Sequence, residues 1–153
     1  MNAPPIVPIT DYVFPNLEPE RAVLDPLGVD LRPAQCKSSQ EVAGHVRGAD
    51  AVLVCYAPVT AEVIQELEGC RLIARYGIGV DNVDLQAATQ AGIVVTNVPD
   101  YCVDEVSDHA LALMLSLARK VTLANQRVHS GEWNVSGLGP MRRLIHDAST
   151  PHY

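Results

Sequence analysis

Residues Arg71–Pro99 read RLIARYGIGVDNVDLQAATQAGIVVTNVP, and this segment is the most informative about the fold. It contains two apolar runs of strand length, RLIARYG and IVVTNVP, joined by a helix-like run that ends at Gly92. Continuous apolar runs of this length are typical of strands in a parallel sheet that is covered on both faces. The stretch therefore predicts one β-α-β unit.

The same alternation of strand-like and helix-like runs extends towards the N-terminus. The predicted strands are IVPITDYV, VDLRPA and AVLVCYA, and the predicted helices are EPERAVLDPLG, SSQEVAGHVRG and TAEVIQELEG. Pro8 lies in the first strand and favours an edge position, because proline has no N–H to donate. About five β-α repeats with short turns predict an α/β fold, in which a parallel sheet carries helices on both faces.

A long helix is predicted after the sheet, from about Val103 to Val128. Asp104 and Glu105 lie near its start, where negative charge is favourable against the helix dipole. Its central run, Ala110–Ala118, reads ALALMLSLA and is apolar nearly all round. A helix of this kind is covered on more than one side. The sheet can cover only one side, so we expect a second domain or a second chain to cover the other.

The composition argues against several classes of protein. The chain has 153 residues, a net charge of −7 and only 11 Lys and Arg, with no basic cluster, so nucleic-acid binding is not expected. No stretch of the sequence reaches 18 unbroken apolar residues, so no membrane span is expected. The start MNAPPIVPIT does not resemble a secretory signal. Scattered cysteines favour free thiols in a cytoplasmic protein over a metal site or disulfides.

The Gly-x-Gly turn after the fourth predicted strand has two interpretations. A dinucleotide fingerprint needs G-x-G-x-x-G. Gly77 and Gly79 fill the first two positions, but Asn82 occupies the third, and the next strand-like run ends in an amide and a proline rather than in an acidic residue. The pattern therefore favours a tight turn whose successive backbone N–H groups bind an anion.

Ligands of parallel sheets bind at the carboxyl ends of the strands. Three turns are predicted to meet at that edge, namely Tyr56–Pro58, Tyr76–Gly79 and Asn97–Asp100. Arg75 lies beside them and could hold an anionic substrate or form an ion pair. Tyr56 could select substrates or pack at the sheet edge.

Taken together, RYGIGVDNVDLQAATQAGIVVTNVP, DEVSDHALALMLSLAR and GEW resemble the D-isomer-specific 2-hydroxyacid dehydrogenases, especially the phosphoglycerate dehydrogenase and C-terminal-binding-protein branches. The resemblance covers about Ala49–Trp133. It implies a flavodoxin-like substrate-binding domain at residues 1–101 and a long helix at 102–130 for interdomain and homodimer contacts. Residues 131–153 would be a loop and an aberrant tail where relatives begin an NAD-binding domain.

The resemblance also implies the residues of the site. Gly77, Ile78 and Gly79 would bind a small 2-hydroxy or 2-oxo acid, its carboxylate held by the N–H groups of Ile78 and Gly79. Tyr56 would lie among the substrate-binding residues. Ile78 and Val106 would approach the nicotinamide of NAD. The catalytic Arg, Glu and His of the family have no match in this sequence.

The last residues depart from the family pattern. Relatives continue after MRRL into a strand and a G-x-G-x-x-G turn, whereas this sequence reads IHDASTPHY. We therefore expect a truncated dehydrogenase that is inactive alone and binds NAD weakly. The alternative is a non-catalytic binding or regulatory module that dimerises through its long helix.

Two predictions concern local structure. We expect Asp81 or Asn82 to cap the helix that follows, and Trp133 to anchor its loop against the core.

Overall fold

Five short parallel strands form a single sheet in the order β2-β1-β3-β4-β5. The computed structural model describes residues 3–134 and 136–142. The strands are β1 (Ile6–Ile9), β2 (Asp30–Pro33), β3 (Ala51–Val54), β4 (Leu72–Arg75) and β5 (Val94–Thr96). The predicted parallel α/β sheet is thereby confirmed.

The connecting helices cover both faces of this sheet. They are α1 (Glu18–Leu24), α2 (Ser39–His45), α3 (Ala61–Gln65) and α4 (Leu85–Gln90). The chain steps from β1 to β2 in one direction and from β2 through β5 in the other. Because such crossovers are right-handed, α1 lies on the face opposite to the other three helices. In agreement with this, α2 contacts α3 and α3 contacts α4.

The core lies between the sheet and the helices α2 to α4. Alternate strand residues, including Val52, Val54 and Ile73, are fully buried in one cluster with Val42 of α2 and Val63 of α3. Burying each such side chain contributes about 1.5–3 kcal/mol. This packing fixes β3 and β4, and so fixes the turns that follow them.

The position of β1 differs from the sequence-based expectation. Pro8 predicted an edge strand, but β1 lies between β2 and β3. It pairs with β2 over four residues and with β3 only at Ile9, opposite Leu53. Proline has no N–H to donate to a neighbouring strand. Because β1 and β3 pair over so short a length, the missing donor at Pro8 costs few hydrogen bonds of the sheet.

The start of α4 also differs from the prediction. Asp84, rather than Asp81 or Asn82, is the N-cap, and its side chain accepts the N–H of Ala87 at 2.9 Å. The side-chain amide of Asn82 instead donates to the carbonyl of Ala57 at 3.0 Å. Asn82 thus joins the turn after β4 to the turn after β3.

The chain divides into two units between Tyr101 and Cys102. The second unit begins with α5 (Val103–Arg119) and α6 (Val121–His129). The predicted long helix is therefore present, but it does not continue unbroken to Val128. Lys120 has a φ of 54°, in the left-handed region, so a right-handed helix cannot run through it. Its side-chain amine donates to the carbonyl of Leu138, and this bond ties Lys120 to the short helical turn at Ser136–Leu138.

The apolar side chains of the second unit are largely exposed. The helix α5 contributes no buried residue, and Leu117 is 80% exposed. Trp133 is 86% exposed, so the expectation that it anchors its loop against a core is wrong. No helix in the described part of the chain is long and apolar enough to cross a membrane. The aberrant tail expected up to residue 153 lies, from residue 143 onward, outside the described residues.

Candidate functional site

The turns that follow β3, β4 and β5 meet at the carboxyl edge of the sheet. The N–H of Val98 donates to the carbonyl of Gly77 at 3.0 Å. The side-chain amide of Asn97 donates to the carbonyl of Ile78 at 2.8 Å. Together with the bond from Asn82 to Ala57, these contacts confirm that the three turns lie side by side.

Gly77 allows the chain to bend sharply after β4. Its φ is 135°, a conformation that residues with a side chain rarely adopt. Its N–H donates to the carbonyl of Arg75 at 3.0 Å. A Cβ at this position would lie 1.8 Å from Nη1 of Arg75. The backbone conformation therefore requires glycine here, and a Cβ would also displace the guanidinium of Arg75.

The bend leaves two backbone donors available. Neither the N–H of Ile78 nor the N–H of Gly79 donates to an acceptor among residues 3–134 and 136–142. Both residues are exposed, Ile78 by 42%. Successive unpaired N–H groups in a turn attract negatively charged ligands. The two residues thus have the properties expected of a carboxylate-binding site.

Arg75 places a positive charge beside this bend. Its Nη1 donates to the carbonyl of Tyr76 at 2.9 Å, and its guanidinium carbon lies 5.6 Å from the centroid of the Tyr56 ring. No carboxylate of a described residue lies within ion-pair distance of it. Its Nε is buried and has no acceptor in the described part of the chain. The charge of Arg75 is therefore not neutralised by an ion pair there, and the ion-pair alternative is not observed.

Tyr56 is an exposed residue of the same edge. Its side chain is 66% exposed, and its ring faces the guanidinium of Arg75. The ring contributes an aromatic surface next to a cation, an arrangement worth about 0.5–1 kcal/mol at exposed positions. The contact orients Arg75 towards the turn after β3.

Asp11 is a residue of this edge that the sequence did not reveal. It follows β1 and is only 7% exposed. Its carboxylate accepts the N–H groups of Cys55, Tyr56 and Ala57 at 3.0, 2.6 and 3.1 Å, and the hydroxyl of Thr10 at 2.9 Å. The sequence showed only an acidic residue near the end of the predicted first strand. The partners of its carboxylate lie 44 to 46 residues away, so no local pattern indicated them.

Tyr76 is a half-buried residue next to the bend. Its ring meets that of Phe14 edge-on, with centroids 6.2 Å apart. Burial, followed by the negative charge of Glu20, raises the pKa of Tyr76 well above its ordinary value. Neither Oη of Tyr76 nor Oε2 of Glu20 forms a well-aligned hydrogen bond with a described residue, although the two groups are neighbours. The hydroxyl therefore stays protonated at neutral pH. Beside the bend lies a shallow hollow lined by Phe14, Tyr76, Gly77, Val98 and Tyr101.

Cys55 is unsuited to nucleophilic chemistry. It is 2% exposed, and burial followed by the nearby charge of Asp11 raises its pKa. A thiol in such surroundings is protonated at neutral pH and is a poor nucleophile. Within the described ranges, no group of three or more His, Cys, Asp or Glu side chains could hold a metal ion.

The described residues do not fit the pyrophosphate of a dinucleotide. The third glycine of a G-x-G-x-x-G turn is replaced by Asn82, whose side chain is bound to the turn after β3. Val106, implied as a nicotinamide contact, lies on α5 in the second unit and is 60% exposed. The turn at residues 77–82 therefore provides no cradle for the pyrophosphate of NAD.

Comparison with known proteins identifies relatives. The family model described as "D-isomer specific 2-hydroxyacid dehydrogenase, catalytic domain" matches residues 12–151. The chain is 40% identical over 107 residues to a D-3-phosphoglycerate dehydrogenase of Archaeoglobus fulgidus, covering 69% of this chain and 20% of that protein. It is 38% identical over 94 residues to a glyoxylate reductase of Pyrococcus furiosus, covering 61% and 28%.

A solved structure shows the same fold. The NAD+-bound 3-phosphoglycerate dehydrogenase of Entamoeba histolytica matches with a TM-score of 0.69 and 26% identity, over 77% of this chain and 40% of that one. The chain thus spans between a fifth and two fifths of the length of these three relatives.

Proposed function

Because this chain belongs to the D-isomer specific 2-hydroxyacid dehydrogenase family, we propose that its first unit binds a small 2-hydroxy or 2-oxo acid for NAD-dependent hydride transfer. The observation that carries this proposal is the pair of exposed N–H groups at Ile78 and Gly79. These donors have no acceptor among the described residues and lie on the bend beside Arg75. A carboxylate would satisfy both donors and face a cation without an ion-pair partner in that range.

In the proposed complex, the first unit binds and orients the acid. The N–H groups of Ile78 and Gly79 hold the carboxylate, and Arg75 adds positive charge. The rest of the acid extends towards Tyr56 at the neighbouring turn. Fixing the reacting carbon in this way lowers the entropic part of the barrier. We assign the hydride acceptor or donor, NAD, to a nucleotide-binding domain of the whole protein, because the described residues lack a fitting cradle. Ile78 and Val106 are the proposed contacts of this chain with the nicotinamide.

The second unit, residues 102–153, is proposed to mediate assembly. Apolar side chains of α5 such as Leu113, Met114 and Leu117 are 47–80% exposed. Exposed apolar surface of this extent marks an interaction surface. We propose that α5 lies in a homodimer interface of a cytoplasmic protein. The same observation favours the second candidate function, a non-catalytic binding or regulatory module that dimerises through this helix.

Binding of the acid can be tested by NMR with oxamate, an unreactive analogue of 2-oxo acids. We expect oxamate to shift the backbone amide signals of Ile78 and Gly79 saturably. Oxamide has nearly the same shape without the carboxylate charge, and it should leave both signals unchanged. Equal shifts with oxamide, or none with oxamate, would contradict a carboxylate site at this bend.

The redox half of the proposal has a separate test. The 153-residue chain is incubated with NADH and glyoxylate, pyruvate or hydroxypyruvate, and the absorbance of NADH is followed. We expect no oxidation above the rate without protein, because no nucleotide cradle is formed by the described residues. Turnover by this chain alone would refute the assignment of NAD binding to another domain. A binding module would bind oxamate in the first test and remain inactive when the whole protein is assayed.

A further inference from the structure

The turn after β3 has the geometry of an anion site, but the protein itself fills it. Cys55, Tyr56 and Ala57 direct three consecutive N–H groups at one carboxylate, that of Asp11. Three converging N–H groups are more donors than the two free ones on the neighbouring bend. Without Asp11, the turn would therefore compete for the carboxylate of a ligand.

The carboxylate of Asp11 is held firmly in this position. The hydroxyl of Thr10, which is fully buried, donates to the same oxygen that accepts from Cys55 and Ala57. On the other side of the turn, Asn82 donates to the carbonyl of Ala57. Both the donors and an acceptor of the turn are thus occupied by the protein.

We propose that Asp11 is a positioning residue that closes the turn at residues 55–57 to anions and so determines which way round the 2-oxo acid binds. The inference rests on the proposed function of the bend at Ile78 and Gly79. With the first turn occupied by a fixed negative charge, the carboxylate of the ligand is directed to residues 78–79. Its uncharged end then faces Tyr56. The reverse orientation would bring two carboxylates together, which is electrostatically unfavourable.

The experiment compares the wild-type chain with Asp11→Ala and a matched control, Asp50→Ala. The carboxylate of Asp50 also accepts one backbone N–H, that of Ile6 at 2.8 Å. Asp50 lies just before β3, however, and not beyond its carboxyl end. Formate, a carboxylate small enough to enter the space left by Asp11, and oxamate are titrated separately. Backbone amide signals of Cys55 and Ala57 report on the turn, and those of Ile78 and Gly79 report on the bend.

In Asp11→Ala we expect formate to shift the signals of Cys55 and Ala57 saturably towards their wild-type positions. Neither the wild-type chain nor Asp50→Ala should show this. Oxamate should shift only the bend in the wild-type chain, and both the turn and the bend in Asp11→Ala. A merely structural Asp11 would lower stability without any rescue by formate, and that result would overturn the proposal.

The experiment also distinguishes failure of this proposal from failure of the proposed function. If Asp11→Ala does not fold, the wild-type titration decides: oxamate that shifts Cys55 and Ala57 as strongly as the bend refutes a closed turn. If oxamate leaves Ile78 and Gly79 unchanged in the wild-type chain, the proposed function fails. The formate titration of Asp11→Ala still shows in that case whether Asp11 closes the turn.

Discussion

The guanidinium of Arg75 lies 5.6 Å from the centre of the Tyr56 ring and less than 2 Å from where a Cβ of Gly77 would stand. A cation at the end of one strand thus bridges the turn of the neighbouring strand and the bend of its own. The bend presents the N–H groups of Ile78 and Gly79, which have no acceptor among the described residues, and Arg75 places a positive charge beside the bend.

Replacing Arg75 by alanine should weaken oxamate binding by about tenfold or more, as expected for loss of a charge-assisted contact. The dissociation constant is measured from the amide shifts of Ile78 and Gly79. Arg47→Ala is the matched control, because Arg47 is an exposed residue paired with Glu66 at 2.8 Å, away from the carboxyl edge. An Arg75 variant that binds oxamate as tightly as the Arg47 variant would remove Arg75 from the site.

Gly77→Ala should destabilise the chain by about 1–3 kcal/mol, because alanine is strained at a φ of 135° and displaces Arg75. Gly44→Ala is the control in α2, where a Cβ meets nothing within 4 Å. That change should stabilise by about 0.5–1 kcal/mol, since alanine favours a helix over glycine. Urea unfolding of the two variants measures both effects. Equal free energies of unfolding for Gly77→Ala and the wild-type chain would show that the bend does not need a glycine.

Tyr76 should make stability fall at alkaline pH. Its pKa is raised in the folded chain, so the unfolded chain releases the phenolic proton first as the pH rises. The stabilisation is therefore complete below the ordinary tyrosine pKa of about 10 and declines above it. Tyr76→Phe lacks this proton, so the free energy of unfolding of the wild type should fall relative to that of the variant as the pH rises above about 10. Parallel stability curves for the two proteins would contradict a raised pKa.

The proposed role of α5 in assembly predicts that Leu117→Asp lowers the apparent mass of the protein in solution. A charge in an apolar interface is costly, so the variant should shift towards monomer. Val23→Asp is the control, because Val23 is a similarly exposed apolar residue on α1, with 66% exposure. Analytical ultracentrifugation measures both. A wild-type chain that is already monomeric at the highest concentration would refute a dimer formed by this chain alone.

The sequence was informative wherever the relevant interactions are local. Apolar runs and turn residues predicted the five parallel strands and the helices between them, because burial on a sheet and helix termination depend on neighbouring residues. The two glycines likewise predicted the bend at residues 77–79. Even so, Lys120 adopts a left-handed φ of 54° and interrupts the predicted long helix, and its amine bonds to a carbonyl 18 residues further along, a contact that local sequence does not encode.

The contacts that complete the candidate site were decided only by the tertiary structure. Asp11 meets the turn after β3 across 44 to 46 residues, and Asn82 meets the same turn across 25. The order of strands in the sheet brings these turns together, and no spacing along the chain encodes which side chain fills which turn. Local patterns in the sequence were therefore enough to predict the strands, the helices and the position of the bend at residues 77–79. The folded sheet determined which donors remain available, because an internal carboxylate competes with any ligand for the same N–H groups.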